Sequence, residues 1–148
     1  MHITDEIQMR ELGARLIRAA RPGTVITLNG DLGTGKTTLV RGALEACGVT
    51  DGVRSPTYTL IEYYALDTMT LVHFDLYRLA DAEELEYLGY RDYLNDETLC
   101  FIEWPEKAQG FLQGVDMQIE LEYSDDGRKL RFKPYTMTAK KLLDRLKT

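Results

Sequence analysis

Cysteine and proline are scarce, with two of the first, Cys47 and Cys100, and four of the second in 148 residues. Two cysteines at this separation match neither a disulfide framework nor a metal-ligand spacing, so both read as small apolar packing residues. Few prolines, with 44% apolar and 28% charged residues, exclude a disordered chain. Positive charge is also short. The 18 Lys and Arg against 24 Asp and Glu leave a formal charge of -6. That is too little basic surface to hold nucleic acid unaided, because non-specific affinity comes from cations neutralising phosphates. No run approaches the roughly 20 apolar residues that a membrane-spanning helix needs, and "MHITDEIQMREL" has no apolar stretch of signal-peptide length. The expectation is a cytoplasmic protein without a membrane partner. No repeat or linker divides the sequence, so residues 1–148 read as one domain.

What is present alternates helix and strand. Thr4 stands where a first helix needs its N-cap, with Asp5 and Glu6 at the positive end of the dipole and Ile7, Leu12, Leu16 and Ile17 at helical spacing. Arg21-Pro22-Gly23 stops that helix, and "TVITL" is a β-branched run leading into glycines. Thr37 to Cys47 restores a helical pattern that Gly48 ends. "YTLIEYYAL" and "MTLVHFDLY" predict a hairpin, "DAEELEYLGYRDYL" helix and turn, and "TLCFIEW" a buried strand. Val115 to Tyr123 with Lys129 to Tyr135 predict a second hairpin, and "TAKKLLDRLK" an amphipathic closing helix. The pattern predicts an α/β fold with a central mixed sheet flanked by helices, parallel near the glycine loop and antiparallel where hairpins add strands.

Gly30, four residues, then Gly35-Lys36-Thr37 matches the phosphate-loop pattern G-x-x-x-x-G-K-[ST] at every fixed position, between a strand and a helix as that loop requires. Glycines let backbone wrap an anion, so N–H groups and a helix N-terminus converge on phosphate oxygens. Gly33, Thr34, Gly35, Lys36, Thr37 and Thr38 are therefore the candidate nucleotide-binding residues. Lys36 would bridge the β- and γ-phosphates, Thr37 would ligate Mg²⁺ and Thr38 would reach the α-phosphate. The bland alternative is a glycine-rich turn with an exposed lysine.

Hydrolysis also needs acidic groups. "TLVHFD" ends in Asp75 and "LCFIE" ends in Glu103; an acid closing a buried strand points from the sheet edge towards the phosphate crevice. Glu103 is assigned to the Mg²⁺ water shell and Asp75 to the attacking water, with Lys36 the third catalytic candidate; the reverse assignment of the two acids stays open. Arg78 is either a charge stabiliser or a surface ion pair. His73 shares a strand face with Asp75 and reads as packing. Thr57, in "RSPTYT", is a candidate γ-phosphate switch or part of a Ser-Pro turn. Trp104, the single tryptophan, is either core or an anchor beside the nucleotide or a partner. Arg128, Lys129, Arg131 and Lys133 could make a basic patch, but the last three alternate with Leu130 and Phe132 as a strand with one solvated face would.

"GDLGTGKTT", "SPTYTL", "HFDLYRLAD" and "IEWPEK", in this order, resemble the bacterial ATPase family of threonylcarbamoyladenosine biosynthesis, TsaE, from the first helix to about Lys107. The resemblance implies a P-loop, Mg²⁺-dependent ATPase that binds ATP and ADP and is weakly active alone. It implies two partner proteins, a metal-dependent transferase and its paralogue, which stimulate it and hold the tRNA. Together they place a threonylcarbamoyl group on the adenosine beside the anticodon. By the family pattern Thr37 and Glu103 are Mg²⁺ residues, Asp75 is a catalytic acid, and Thr4 to Glu6 form part of the purine pocket. Thr34 stands where many relatives are expected to carry alanine, and the chain beyond Val115 inherits no role. Two other readings remain. A small metabolite or nucleoside kinase would need a cluster of lid arginines, but Arg78 and Arg91 stand far apart. A nucleotide-dependent switch would bind without productive hydrolysis. A guanine-specific enzyme would carry N-K-x-D, and Asn95 instead begins "NDET".

Overall fold

A computed structural model describes residues 1–50 and 60–147. In chain order the elements are β1 (His2–Ile3), α1 (Glu6–Ala19), β2 (Val25–Asn29), α2 (Lys36–Ala46), β3 (Ile61–Ala65), β4 (Thr70–Asp75), α3 (Glu84–Tyr87), β5 (Thr98–Glu103), β6 (Met117–Ser124), β7 (Gly127–Pro134) and α4 (Met137–Lys147). They form a seven-stranded sheet in the order β1-β7-β6-β2-β5-β4-β3. β2 runs parallel to both β5 and β6, and β4 parallel to β5. The hairpin pairs β3–β4 and β6–β7, and the β1–β7 pair, are antiparallel. The mixed α/β sheet is the one the sequence pattern predicts.

Parallel strands covered on both faces read as unbroken apolar runs, which is why "VITL" and "LCFI" carry no alternation. Ile26, Leu28, Leu99 and Phe101 pack with Leu12, Leu16, Leu39 and Leu142 of α1, α2 and α4. On the opposite face Val72, Phe74, Cys100 and Ile102 pack with Leu85, Tyr90 and Ala108. These come from α3 and from two 3-10 turns, Tyr90–Tyr93 and Pro105–Ala108. Phe74 meets Tyr90 and Tyr93 edge-on, each with ring centroids 5.6 Å apart.

The contact that places α2 is between backbones. A Cβ at Gly13 of α1 would fall 2.0 Å from the Leu39 carbonyl oxygen, and one at Gly42 of α2 would fall 2.2 Å from that of Arg10. Only glycine at the crossing lets the helices approach so closely, and this seats the α2 N-terminus beside the parallel strands. α4 is tied to α1 by Arg145 Nε donating to the Ala19 carbonyl at 2.6 Å and by Arg15 donating to that of Leu146.

Several expectations need correction. The α1 N-cap is Asp5 rather than Thr4: Asp5 Oδ1 accepts from the Gln8 N–H at 2.8 Å, while Gln8 Oε1 accepts from the Thr4 N–H at 2.8 Å. Both residue types cap well, so spacing alone did not separate them. β1 was not foreseen, since two residues carry no periodic signal and pair with β7 across the whole chain. Cys100 is buried, its thiol pushed up to about 12 by desolvation. Cys47 is exposed at the end of α2 and is not a packing residue. Arg131 and Lys133 pair with Glu122 and Glu120 at 3.5 and 2.8 Å on a solvated face. Among the described residues no helix is long and apolar enough to cross a membrane.

Candidate functional site

β2 delivers the chain at Asn29 to a glycine-rich loop that closes into α2 at Lys36. Gly33 and Gly35 both adopt left-handed backbone, φ 81° and 108°, so the loop turns sharply onto the helix N-terminus, where unpaired N–H groups favour an anion. Lys36 is almost fully buried. Its Nζ donates to the Gly30 carbonyl and to that of Asp31 at 3.1 Å, and sits 4.1 Å from the centre of the Trp104 ring. Burial holds its ammonium below the usual value, opposed by the charges of Glu103, Glu106, Asp75 and Asp31. An anion placed beside it would favour the charged form.

The two strand-end acids come together because β4 and β5 are parallel neighbours. Asp75 and Glu103 are register partners across the pair. The Thr37 hydroxyl donates towards both Glu103 oxygens, at 3.0 and 3.2 Å. Behind it, His73 Nε2 lies 2.5 Å from Glu103 Oε2, with both side chains buried. Asp75 Oδ1 accepts from the Tyr77 N–H at 3.1 Å. Lys36, Thr37, Asp75, Tyr77, Glu103 and Trp104 line one cleft of about 280 Å³. A second cavity of about 230 Å³ is lined by Glu6, Met9, Thr34, Thr38 and Arg128, and both are bordered by Gly33, Gly35 and Thr38.

The structure thus brings together Lys36, Thr37, Asp75 and Glu103 in one cleft, and Glu6, Thr34 and Thr38 in the adjoining one. The Thr34 hydroxyl turns back to donate to the Asp31 carbonyl at 2.8 Å. Trp104 packs partly against the core and also forms a wall of the cleft, tilted against Tyr77 with ring centroids 5.0 Å apart. Arg78 is exposed and lines neither cavity. Thr57 lies outside the described residues. The sequence pattern assigns His73 to packing; it is buried and lines neither cavity, but its two-residue spacing from Asp75 puts it on the strand face where it meets Glu103. Nothing in the sequence pointed to Arg128 as a wall of the cavity.

The Thr37 hydroxyl and the Glu103 carboxylate are hard oxygen donors already within reach of each other, a donor set that suits Mg²⁺. This ion is held in such sites by one or two protein oxygens together with phosphates. Among the described residues no cluster of three or more His, Cys, Asp and Glu forms a metal cage.

Residues 3–130 match the family model for the threonylcarbamoyl adenosine biosynthesis protein TsaE. The tRNA threonylcarbamoyladenosine biosynthesis protein TsaE of Haemophilus influenzae is 43% identical over 147 residues, covering 96% of this chain and 93% of its own. The protein of the same name from Bacillus subtilis is 40% identical over 114 residues, covering 76% and 71%. The crystal structure of Bacillus subtilis YdiB superposes with a TM-score of 0.82 at 29% identity, covering 99% of this chain and 92% of that one.

Proposed function

The chain belongs to the TsaE family of threonylcarbamoyl adenosine biosynthesis proteins, and from that premise we propose that residues 1–148 act as one P-loop ATPase domain in the cytoplasm. Its turnover of ATP serves the threonylcarbamoylation of tRNA adenosine next to the anticodon. It is weakly active alone and is stimulated by two partner proteins, a metal-dependent transferase and its paralogue, which carry the tRNA. The observation that supports hydrolysis is the convergence of Thr37, Glu103 and Asp75 beside Lys36 in a single cleft.

The residues divide the work. Loop N–H groups and the α2 N-terminus receive the phosphates, and Lys36 exchanges its contacts with the Gly30 and Asp31 carbonyls for β- and γ-phosphate oxygens. Thr37 and Glu103 would hold Mg²⁺, which would supply charge neutralisation to the phosphates when bound. Asp75 orients a water in line with the γ-phosphorus and accepts its proton as the new P–O bond forms and the bond to the β-phosphate oxygen breaks, leaving ADP and phosphate. Glu6 and Met9 provide the wall for the purine in the adjoining cavity. A mixture of the chain, the two partners, ATP, the threonylcarbamoyl donor and tRNA should yield modified adenosine over repeated cycles. Equal yield with the chain omitted would sink the proposal.

A further inference from the structure

The β6–β7 hairpin, which inherits no role from the family resemblance, touches the phosphate loop at three successive places. At Gly30 a Cβ would fall 2.6 Å from the Leu121 carbonyl oxygen, so β6 backbone lies directly against the loop. Further along, the Tyr123 hydroxyl donates to the Leu32 carbonyl, and Arg128 Nη2 donates to that of Gly33 at 3.1 Å. Tyr123 and Arg128 are register partners across the hairpin, and the guanidinium lies 4.4 Å from the Tyr123 ring centre. That stack holds both donors at one tip. At Gly33, whose φ is +81°, a Cβ would come within 2.7 Å of the Tyr123 hydroxyl. The tip itself is pinned from the other side, because β1 pairs Ile3 with Arg128.

From these contacts we propose that Tyr123 and Arg128 are positioning residues that orient the phosphate loop for its anion. The reason is the planarity of the peptide unit, in which a trans N–H points opposite to its carbonyl. Holding the Leu32 and Gly33 carbonyls from outside turns the N–H groups of Gly33 and Thr34 inward. The Thr34 N–H, opposite the braced Gly33 carbonyl, donates at 3.3 Å to the Asp31 carbonyl that also accepts from Lys36. Phosphate then takes over these contacts from a loop whose peptide planes are already fixed, which lowers the ordering cost of binding.

This inference rests on the nucleotide-binding reading of the loop, so the test has an arm that does not. Tyr123→Phe removes one hydroxyl and keeps the ring, and Arg128→Ala removes the second donor. In nucleotide-free protein both variants should show faster amide exchange at residues 31–36, with exchange in β4 and β5 and the melting temperature kept near wild type. Titrated with Mg·ADP and followed by Trp104 fluorescence, Tyr123→Phe should bind about fivefold more weakly than wild type, as loss of one neutral hydrogen bond implies. Wild-type affinity together with wild-type loop exchange in both variants would overturn the brace. Failure of wild type itself to bind Mg·ADP would overturn the nucleotide reading while the exchange comparison still decides the brace.

Discussion

His73 Nε2 stands 2.5 Å from Glu103 Oε2 inside the protein, so the carboxylate that receives the Thr37 hydroxyl is held from behind by an imidazole. The carboxylate is a fixed acceptor with one oxygen anchored on the sheet side, and its second oxygen also faces Thr37. A buried charged or polar pair gives little net stability by itself, but removing one partner strands the other. His73→Leu should therefore lower unfolding free energy by about 1–3 kcal/mol in denaturant titrations, since Glu103 keeps the Thr37 hydroxyl. A loss below about 1 kcal/mol would show that Glu103 finds another partner at no cost.

The register pair Asp75 and Glu103 places side by side two acids whose proposed roles a metal titration separates. Glu103→Gln should raise the Mg²⁺ concentration needed for half-maximal ATP hydrolysis roughly tenfold, with turnover largely recovered in excess metal. Asp75→Asn should leave Mg²⁺ dependence and nucleotide affinity near wild type while lowering turnover about a hundredfold. A metal titration of phosphate release for both variants decides the matter, and exchanged phenotypes would exchange the assignments.

Lys36 gives a pH signature to the nucleotide-free protein. Its folded pKa is held below 10.5, chiefly by burial, so the folded chain releases this proton before the unfolded chain does. Between the lowered value and 10.5 the unfolded state binds more protons, and the contribution of this group to stability rises with pH. Below that window the burial cost is fully present. The stability of wild type minus that of Lys36→Met should accordingly increase as pH rises towards 10.5. A difference that stays flat or falls over that range contradicts the burial of a charged lysine.

Much of this was legible in the chain. The phosphate loop is local, so spacing alone placed Lys36 and Thr37, and the two acids followed from apolar runs that end in Asp75 and Glu103. Their adjacency needed the parallel pairing of β4 with β5, which the alternation of elements implied. What stayed hidden is non-local. Tyr123 and Arg128 reach Leu32 and Gly33 across separations of 91 and 95 residues, and no pattern in either segment announces the other. His73 looked like packing because it is indeed buried, and only the neighbouring strand shows which atom it faces. Cys47 sat at a helical apolar position, but α2 ends there and leaves it in solvent.

The crossing of α1 and α2 should be intolerant of a single methyl group. Alanine in place of glycine ordinarily stabilises a helix by up to about 1 kcal/mol. At Gly13, where a Cβ would lie 2.0 Å from the Leu39 carbonyl oxygen, overpacking at a cost of about 1–3 kcal/mol should outweigh that gain. Gly13→Ala should lower the denaturation midpoint and, by shifting α2, weaken Mg·ADP binding as well. A stabilised variant with unchanged affinity would mean that the helices separate freely.

The most direct measurement is the steady-state rate of phosphate release from ATP, taken for wild type and Asp75→Asn, each alone and with the two partner proteins. Wild type alone should be slow and should accelerate on adding the partners, while Asp75→Asn should stay slow in both conditions. A wild-type rate indifferent to the partners, or an Asp75→Asn rate equal to that of wild type, would contradict a partner-driven ATPase built on this cleft.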